Sequence, residues 1–420
     1  MKKFVIAEIC VIVAFVIGFF VGKFFYSTDK NYEDYYQHAE QAWLKAQKAD
    51  TPPVTLDDPD PKRIRKVRAL YRKVFKEYPD SRWADNAIYE LASRIARTDE
   101  EAFALYRRLI NNYPDSEWTD DSLYTIAFAS YLTGQNMKQT DDSDAAGLYY
   151  DRAFALFDQL IRDYPGSALV DESRFNRAMC HYGKGKLNRA LETLGELADE
   201  LAEDFRSHEL IQSIVYQVGM IYTEKHEYEK ARANFQNVVD GGHSELAPSA
   251  QFSIAQTYFA QGGYEEARKA YQAVIDKYPE SKPAQDAHFY IGWAYEKMER
   301  YDEAIIQLEE AIEKYPRNEN AQNSQIYIAQ IYYAKNDTDG AIEAYRKVVE
   351  NSTFDYDARR SAQYWIGHIH EKTGNTTQAI AAYRQLLKEF QEPHYVARHP
   401  SNNINEHYIQ KLQSEGLGDL

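Results

Sequence analysis

The amino-acid sequence predicts an all-α fold: a superhelical solenoid of about nine helical hairpins, preceded by one transmembrane helix. Three observations point to it. A Tyr-Pro turn recurs as EYPDS (77–81), NYPDS (112–116), DYPGS, KYPES and KYPRN. A fixed frame of small and bulky residues accompanies the turns, and an apolar run opens the chain. With 44% hydrophobic and 27% charged residues the chain has the composition of a folded protein. Its net charge of −16 repels phosphate backbones, so no nucleic-acid partner is expected.

The N-terminus reads as a basic cytoplasmic segment (1–3), with Lys2 and Lys3, followed by a signal anchor over residues 4–26. Twenty-odd apolar residues are enough to cross a bilayer once. No small-residue cleavage site follows, which favours an anchor over a removed signal peptide. The basic flank directs the rest of the chain to the exported side, although Lys23 and Lys30 weaken that bias. Gly18 and Gly22 have the GxxxG spacing through which two membrane helices can pair weakly. Cys10 lies inside the apolar run rather than at its end, which argues against a lipid-attachment site, and with Cys180 it makes neither a disulfide framework nor a zinc motif.

The repeat region spans residues 27–391. The turn prolines, Pro79, Pro114, Pro165, Pro279 and Pro316, are separated by 35, 51, 114 and 37 residues; 114 is three units of 38. A period near 37 marks a repeat array. The clearest unit runs from Ala284 to Asn318. Phe289, Gly292 and Tyr295 share one helix face, and Ala304, Leu308 and Ala311 share another. Between them MERYDEA makes the short connection of a helical hairpin. Proline then ends the second helix, because it lacks an N–H and disfavours α-geometry in the residue before it.

Aligned on the turn, the first helix of each unit places an aromatic three residues before a small residue: Tyr89 and Ala92, Tyr124 and Ala127, Phe175 and Ala178, Tyr216 and Gly219, Phe252 and Ala255, Phe289 and Gly292, Tyr364 and Gly367. Ile326 and Ala329 are the aliphatic exception. Second helices place alanine four residues before a bulky side chain, from Ala102 and Tyr106 to Ala379 and Tyr383. Departures are an irregular first hairpin (31–78) with a proline-rich connection, and an acidic loop insertion expected over 135–147. The array loses its turn motif near Asp199. A tail (392–420) with one helix would cap the open apolar end.

The segment YIGWAYEKMERYDEAIIQLEEAIEKYP and its sisters resemble tetratricopeptide repeats. The resemblance implies a right-handed superhelix of helix-turn-helix units that binds protein partners. The Tyr-Pro-x-Ser ending with an early aromatic looks like the repeats of bacterial envelope proteins, such as outer-membrane assembly lipoproteins and the periplasmic coordinator of the Tol-Pal system.

The resemblance turns the early first-helix aromatics toward a concave wall: Tyr89, Tyr124, Phe175, Tyr216, Phe252, Phe289 and Tyr364, with Phe128, Tyr131, Phe259, Trp293 and Tyr333 nearby. Such rings offer rigid contact area with a polar handle, suited to a peptide or helix lying in a groove. The competing reading wedges them between successive first helices as repeat core. No catalytic residue, metal site or cofactor is expected. His368 and His370, two apart on a helix, face opposite ways, and no P-loop, GxGxxG or GxSxG motif occurs. The expected function is a membrane-anchored, non-enzymatic scaffold on the exported face of a cytoplasmic membrane, binding protein partners in envelope assembly or secretion. Alternatives are a periplasmic chaperone-like receptor for extended clients and an accessory factor of cell-wall metabolism.

Overall fold

The computed structural model describes residues 33–389, apart from 56–59, 97, 141, 203–207, 242–244, 352–353 and 355. The expected anchor (4–26), the Gly18 and Gly22 pair and the capping tail (392–420) lie outside the described residues. Among the described residues no helix is long and apolar enough to cross a membrane. All regular structure among them is helical, in eighteen helices that form nine hairpins.

The chain divides into two compact units, Met1–Asp199 and Glu200–Leu420. In the first unit the hairpins pair α1 (33–49) with α2 (Pro61–Glu77), and α3 (Ala84–Glu90) with α4 (Asp99–Asn112). They continue with α5 (Thr119–Gln139) and α6 (Ser143–Asp163), then α7 (Val170–Gly183) and α8 (Leu187–Leu201), whose last residues enter the second unit. A π-helical turn, Leu91–Ile95, extends α3. In the second unit the pairs are α9 (His208–Glu224) and α10 (Tyr228–Asp240), α11 (Ala247–Ala260) and α12 (Tyr264–Lys277), and α13 (Lys282–Lys297) and α14 (Tyr301–Lys314). The last pairs are α15 (Glu319–Ala334) with α16 (Thr338–Glu350), and α17 (Tyr356–Lys372) with α18 (Thr376–Glu389).

Each hairpin closes where the frame puts a small residue opposite a large one. A Cβ added at Gly219 would lie 2.6 Å from the Phe235 ring, one at Gly292 2.7 Å from Leu308, and one at Gly367 2.5 Å from Tyr383. The absent side chain lets the two backbones approach and the knob fill the notch. Ala231, Ala267, Ala304 and Ala341, four residues before each knob, are fully buried. Phe157, Phe235, Tyr271 and Tyr345 are the largest fully buried knobs, each capable of contributing about 1.5–3 kcal/mol by leaving water.

In six of the nine hairpins the inner turn carries one residue with positive φ among the described residues. It is Gly185, Gly262 or Gly374 in three hairpins, and His226, Glu299 or Asn336 in three others. The Tyr-Pro turn between hairpins has one backbone geometry throughout, with φ −131° and ψ 56° at Tyr78 and near-identical values at Tyr113, Tyr164, Tyr278 and Tyr315. Its tyrosine caps the preceding helix through its own N–H. In the first unit the ring also bridges turns: the Tyr113 hydroxyl donates to the Pro79 carbonyl (2.8 Å) and that of Tyr164 to Pro114 (2.7 Å). The serine serves as side-chain N-cap at Ser281, which accepts from the Ala284 N–H at 3.2 Å. In the first-unit turns it holds the turn itself. Ser81 Oγ donates back to the Tyr78 carbonyl, while Ser116 and Ser167 accept from N–H groups two residues on.

The acidic stretch expected as a loop over 135–147 is helical at both ends, α5 running to Gln139 and α6 starting at Ser143. The cause is capping: Asp142 accepts from the Ala145 N–H at 3.1 Å, so its carboxylate starts a helix. Charge and a shared apolar core tie the irregular first hairpin to the second. Asp50, 6% exposed, accepts from the Tyr71 hydroxyl (2.6 Å) and from Arg94 (2.8 Å), and buried Arg68 makes a two-pronged pair with Glu101 at 2.6 and 2.7 Å.

Candidate aromatic binding surface

In the second unit the first helices lie side by side, α11 against α13 and α13 against α15. Their aromatic side chains meet across these contacts. Phe252 of α11 packs edge-on against Tyr290 of α13 (5.2 Å), and Phe259 tilts onto Trp293 (4.6 Å). Phe289 meets Tyr327 of α15 edge-on (4.9 Å), and Trp293 lies 6.3 Å from the same ring. Further along, Tyr333 of α15 packs on Trp365 of α17 (5.8 Å), and Trp365 contacts His368 (5.4 Å). Tyr364 leans on Tyr383 (6.2 Å). Tyr216 of α9 packs on Phe235 and places its hydroxyl 3.3 Å from Ser253 Oγ of α11.

The twelve expected surface aromatics thus divide. Phe289 (5% exposed) and Tyr131 (7%) are buried, Tyr131 against Tyr150 at 5.8 Å. The other ten are half-buried, each with part of its ring against protein and part open to solvent. Among them Phe252, Phe259, Trp293 and Tyr333 join neighbouring first helices. Wedging between helices is therefore present, and it leaves a solvent-facing rim. In the first unit the set is not gathered into one patch. Tyr89 stacks on Trp118 (4.3 Å, 18°), Tyr124 stacks on Phe128 (5.9 Å, 8°) and accepts a hydrogen bond from Asn176 (3.2 Å), and Phe175 is half-buried on α7.

Residues that sequence reasoning overlooked complete the second-unit surface. Tyr290, Tyr327 and Trp365 each directly follow the early position of the frame, occupied by Phe289, Ile326 and Tyr364. The same alignment that isolates the early series contains them one column over.

The chemistry of this surface is contact chemistry. Burial pushes the phenols of Tyr124 and Tyr290 up, so they remain neutral donors at neutral pH. Lys297 sits 6.0 Å from the Trp293 ring and pairs with Glu296 at 3.1 Å. Elsewhere, burial pushes the Cys180 thiol up to about 12, which leaves it a poor nucleophile. Among the described residues no three His, Cys, Asp or Glu side chains form a metal-holding group.

Comparison with known proteins agrees with the hairpin geometry. A tetratricopeptide repeat family model matches residues 219–282, 252–319 and 325–392, and a second model of the same description matches 89–116. The matched segments are tetratricopeptide repeats. Among solved structures, a tetratricopeptide repeat protein from Parabacteroides merdae is 15% identical, with 65% of this chain and 96% of that one covered at a TM-score of 0.39. The C-terminal part of a repeat protein from Cytophaga hutchinsonii is 17% identical, covering 61% and 94% at 0.44. YrrB, described as a TPR protein with an unusual peptide-binding site, is 18% identical, covering 49% and 96% at 0.33. Comparison with curated proteins finds no match. The tetratricopeptide hairpins supply a rigid layer of first helices, and the half-buried rings stand on that layer.

Proposed function

We propose that this repeat protein is a non-enzymatic scaffold that holds a protein partner against the first-helix aromatics of its second unit. The observation that carries the reading is the band of half-exposed rings, Phe259, Trp293 and Tyr327, joined across α11, α13 and α15. Aromatic side chains fixed by neighbours lose little entropy on binding, and they anchor many interfaces. The apolar run at 4–26 supports a tethered form, with the repeats on the exported side of a cytoplasmic membrane and a role in envelope assembly or secretion. Tethering confines the surface near the bilayer and raises its effective concentration for membrane-associated partners.

The test separates contact from packing. Trp293→Ala and Tyr333→Ala are expected to reduce polypeptide capture at least about tenfold, the equivalent of roughly 1.4 kcal/mol, with a small fall in Tm. Unchanged capture by both folded variants overturns the reading. A Tm loss of the size that follows from about 3–5 kcal/mol, with no binding effect, assigns the rings to the core.

A further inference from the structure

Within the second unit, α11, α13 and α15 keep charge away from their aromatic contacts. α11 contains no Asp, Glu, Lys or Arg, and α15 contains one, Glu319, at its first residue. Between Ala287 and Tyr295 α13 also has none. Its remaining charges are engaged or terminal: Asp286 accepts from Asn318 (3.0 Å) and Asn320 (2.9 Å), Glu296 pairs with Lys297, and Lys282 is the first residue. Burial alone does not explain this, because, apart from Glu319 at the start of α15, the exposed positions of α11 and α15 are also uncharged: Gln256, Ala260, Gln330 and Ala334. On the partner helices α12 and α14 the exposed positions include Glu266, Lys269, Asp302, Glu309 and Glu313. In a chain of net charge −16, the wall made by α11, α13 and α15 is a strip of rings and amides whose few charges lie toward the helix ends.

We infer that this wall selects an extended polypeptide segment without charged side chains, built from apolar and amide residues. The inference rests on the protein-binding reading above and adds the chemistry of the partner. A charge laid between the rings would lose hydration, and the charges nearest them, Glu296 and Lys297, already pair with each other. A cation gains no refuge over Trp293, since Lys297 already stands near that ring. Glutamines suit an extended main chain, offering both a donor and an acceptor to its peptide groups. Packed helices lie about 8–10 Å apart, and extended chain rises about 3.3 Å per residue, so crossing from α11 to α15 takes roughly seven residues.

A bead-displayed library of random twelve-residue peptides tests this with the full chain, alongside Trp293→Ala and the double variant Gln256→Glu, Gln330→Glu. The wild type is expected to enrich peptides with a central stretch of about seven residues depleted in Asp, Glu, Lys and Arg relative to the input. The double variant, altered only at exposed positions, is expected to recover Lys and Arg there and to bind the wild-type selections roughly tenfold more weakly, since about 1.4 kcal/mol is one decade. Charged residues at input frequency in wild-type selections, with enrichment still lost in Trp293→Ala, overturn the inference and leave the protein-binding reading standing. Equal behaviour of the double variant and wild type also overturns the inference. Enrichment no greater than on uncoated beads, or binding only of the neutral oligosaccharide maltoheptaose included as a control, overturns the protein-binding reading itself.

Discussion

Gly219 has a neighbour that defines its role. With the Phe235 ring 2.6 Å from where a Cβ would stand, Gly219→Ala forces the ring or the helix to move. Overpacking of this kind typically costs about 1–3 kcal/mol, so the urea midpoint of the variant is expected to fall with an unchanged slope. His288 is a second residue whose surroundings decide its behaviour. It is buried on α13, with Gln307 of α14 3.0 Å from Nδ1, Glu310 at 3.9 Å, and Tyr315 against the ring. Burial holds its imidazole below the ordinary histidine range, Glu310 opposes that shift and Lys314 adds to it. The unfolded chain therefore binds a proton at a pH where the folded chain does not. Stability is present above about 6.5 and is lost as pH falls below it. His288→Gln is expected to flatten part of that decline between pH 7 and 5. The remainder comes from groups such as His181 and His370, which burial also lowers. A denaturation series across this range with no difference between variant and wild type would contradict the assignment. The small-and-large frame was visible in the sequence because it repeats. The partners of His288 were not, since they depend on which side of α14 faces α13.

At the scale of the element, periodicity made the hairpins legible and local side-chain chemistry decided their ends. The five Tyr-Pro turns fall where the prolines put them. That a tyrosine hydroxyl reaches the previous turn needs two hairpins already stacked, and no single turn contains that information. The stretch 135–147 was misread for a related reason. A run of Asp, Ser and Thr suits a loop or a helix start equally, and here Asp142 caps α6 while α5 continues to Gln139. The charge cluster of Asp50, Arg94, Arg68 and Glu101 joins residues far apart in sequence and has no periodic signature. The turns within hairpins give a direct check of the backbone reading. Glu299 occupies a left-handed conformation, φ 58°, at the place where other hairpins use glycine. Side chains there cost roughly 1–2 kcal/mol, partly offset by the entropy that glycine loses on folding. Glu299→Gly is expected to stabilise the second unit by about 0.5–1 kcal/mol, read as a raised Tm; a lowered Tm would show that the turn is not under this strain.

At the scale of the molecule, two units share one construction while differing in what they expose. In the first unit Tyr124, Phe128, Tyr131 and Tyr150 form one run along a single hairpin, whereas in the second the rings join three neighbouring first helices that carry few charges. The repeat frame in the sequence singled out Phe259 and Trp293 of the band but not Tyr327. It did not separate Phe289, which is buried, from Trp293, which keeps a free edge, because that difference arises from how consecutive hairpins stack. The central claim is that a protein partner rests on the first-helix side of the second unit. Its most direct measurement places a photo-crosslinking residue, p-benzoyl-phenylalanine, at Gln330 on the first-helix wall or at Ile306, which is 66% exposed on α14. Irradiation of the full chain in the cells that express it is expected to give protein adducts from position 330 that are absent from position 306 and are lost in Trp293→Ala. Equal adducts from both positions, or adducts from position 306 alone, would contradict the account.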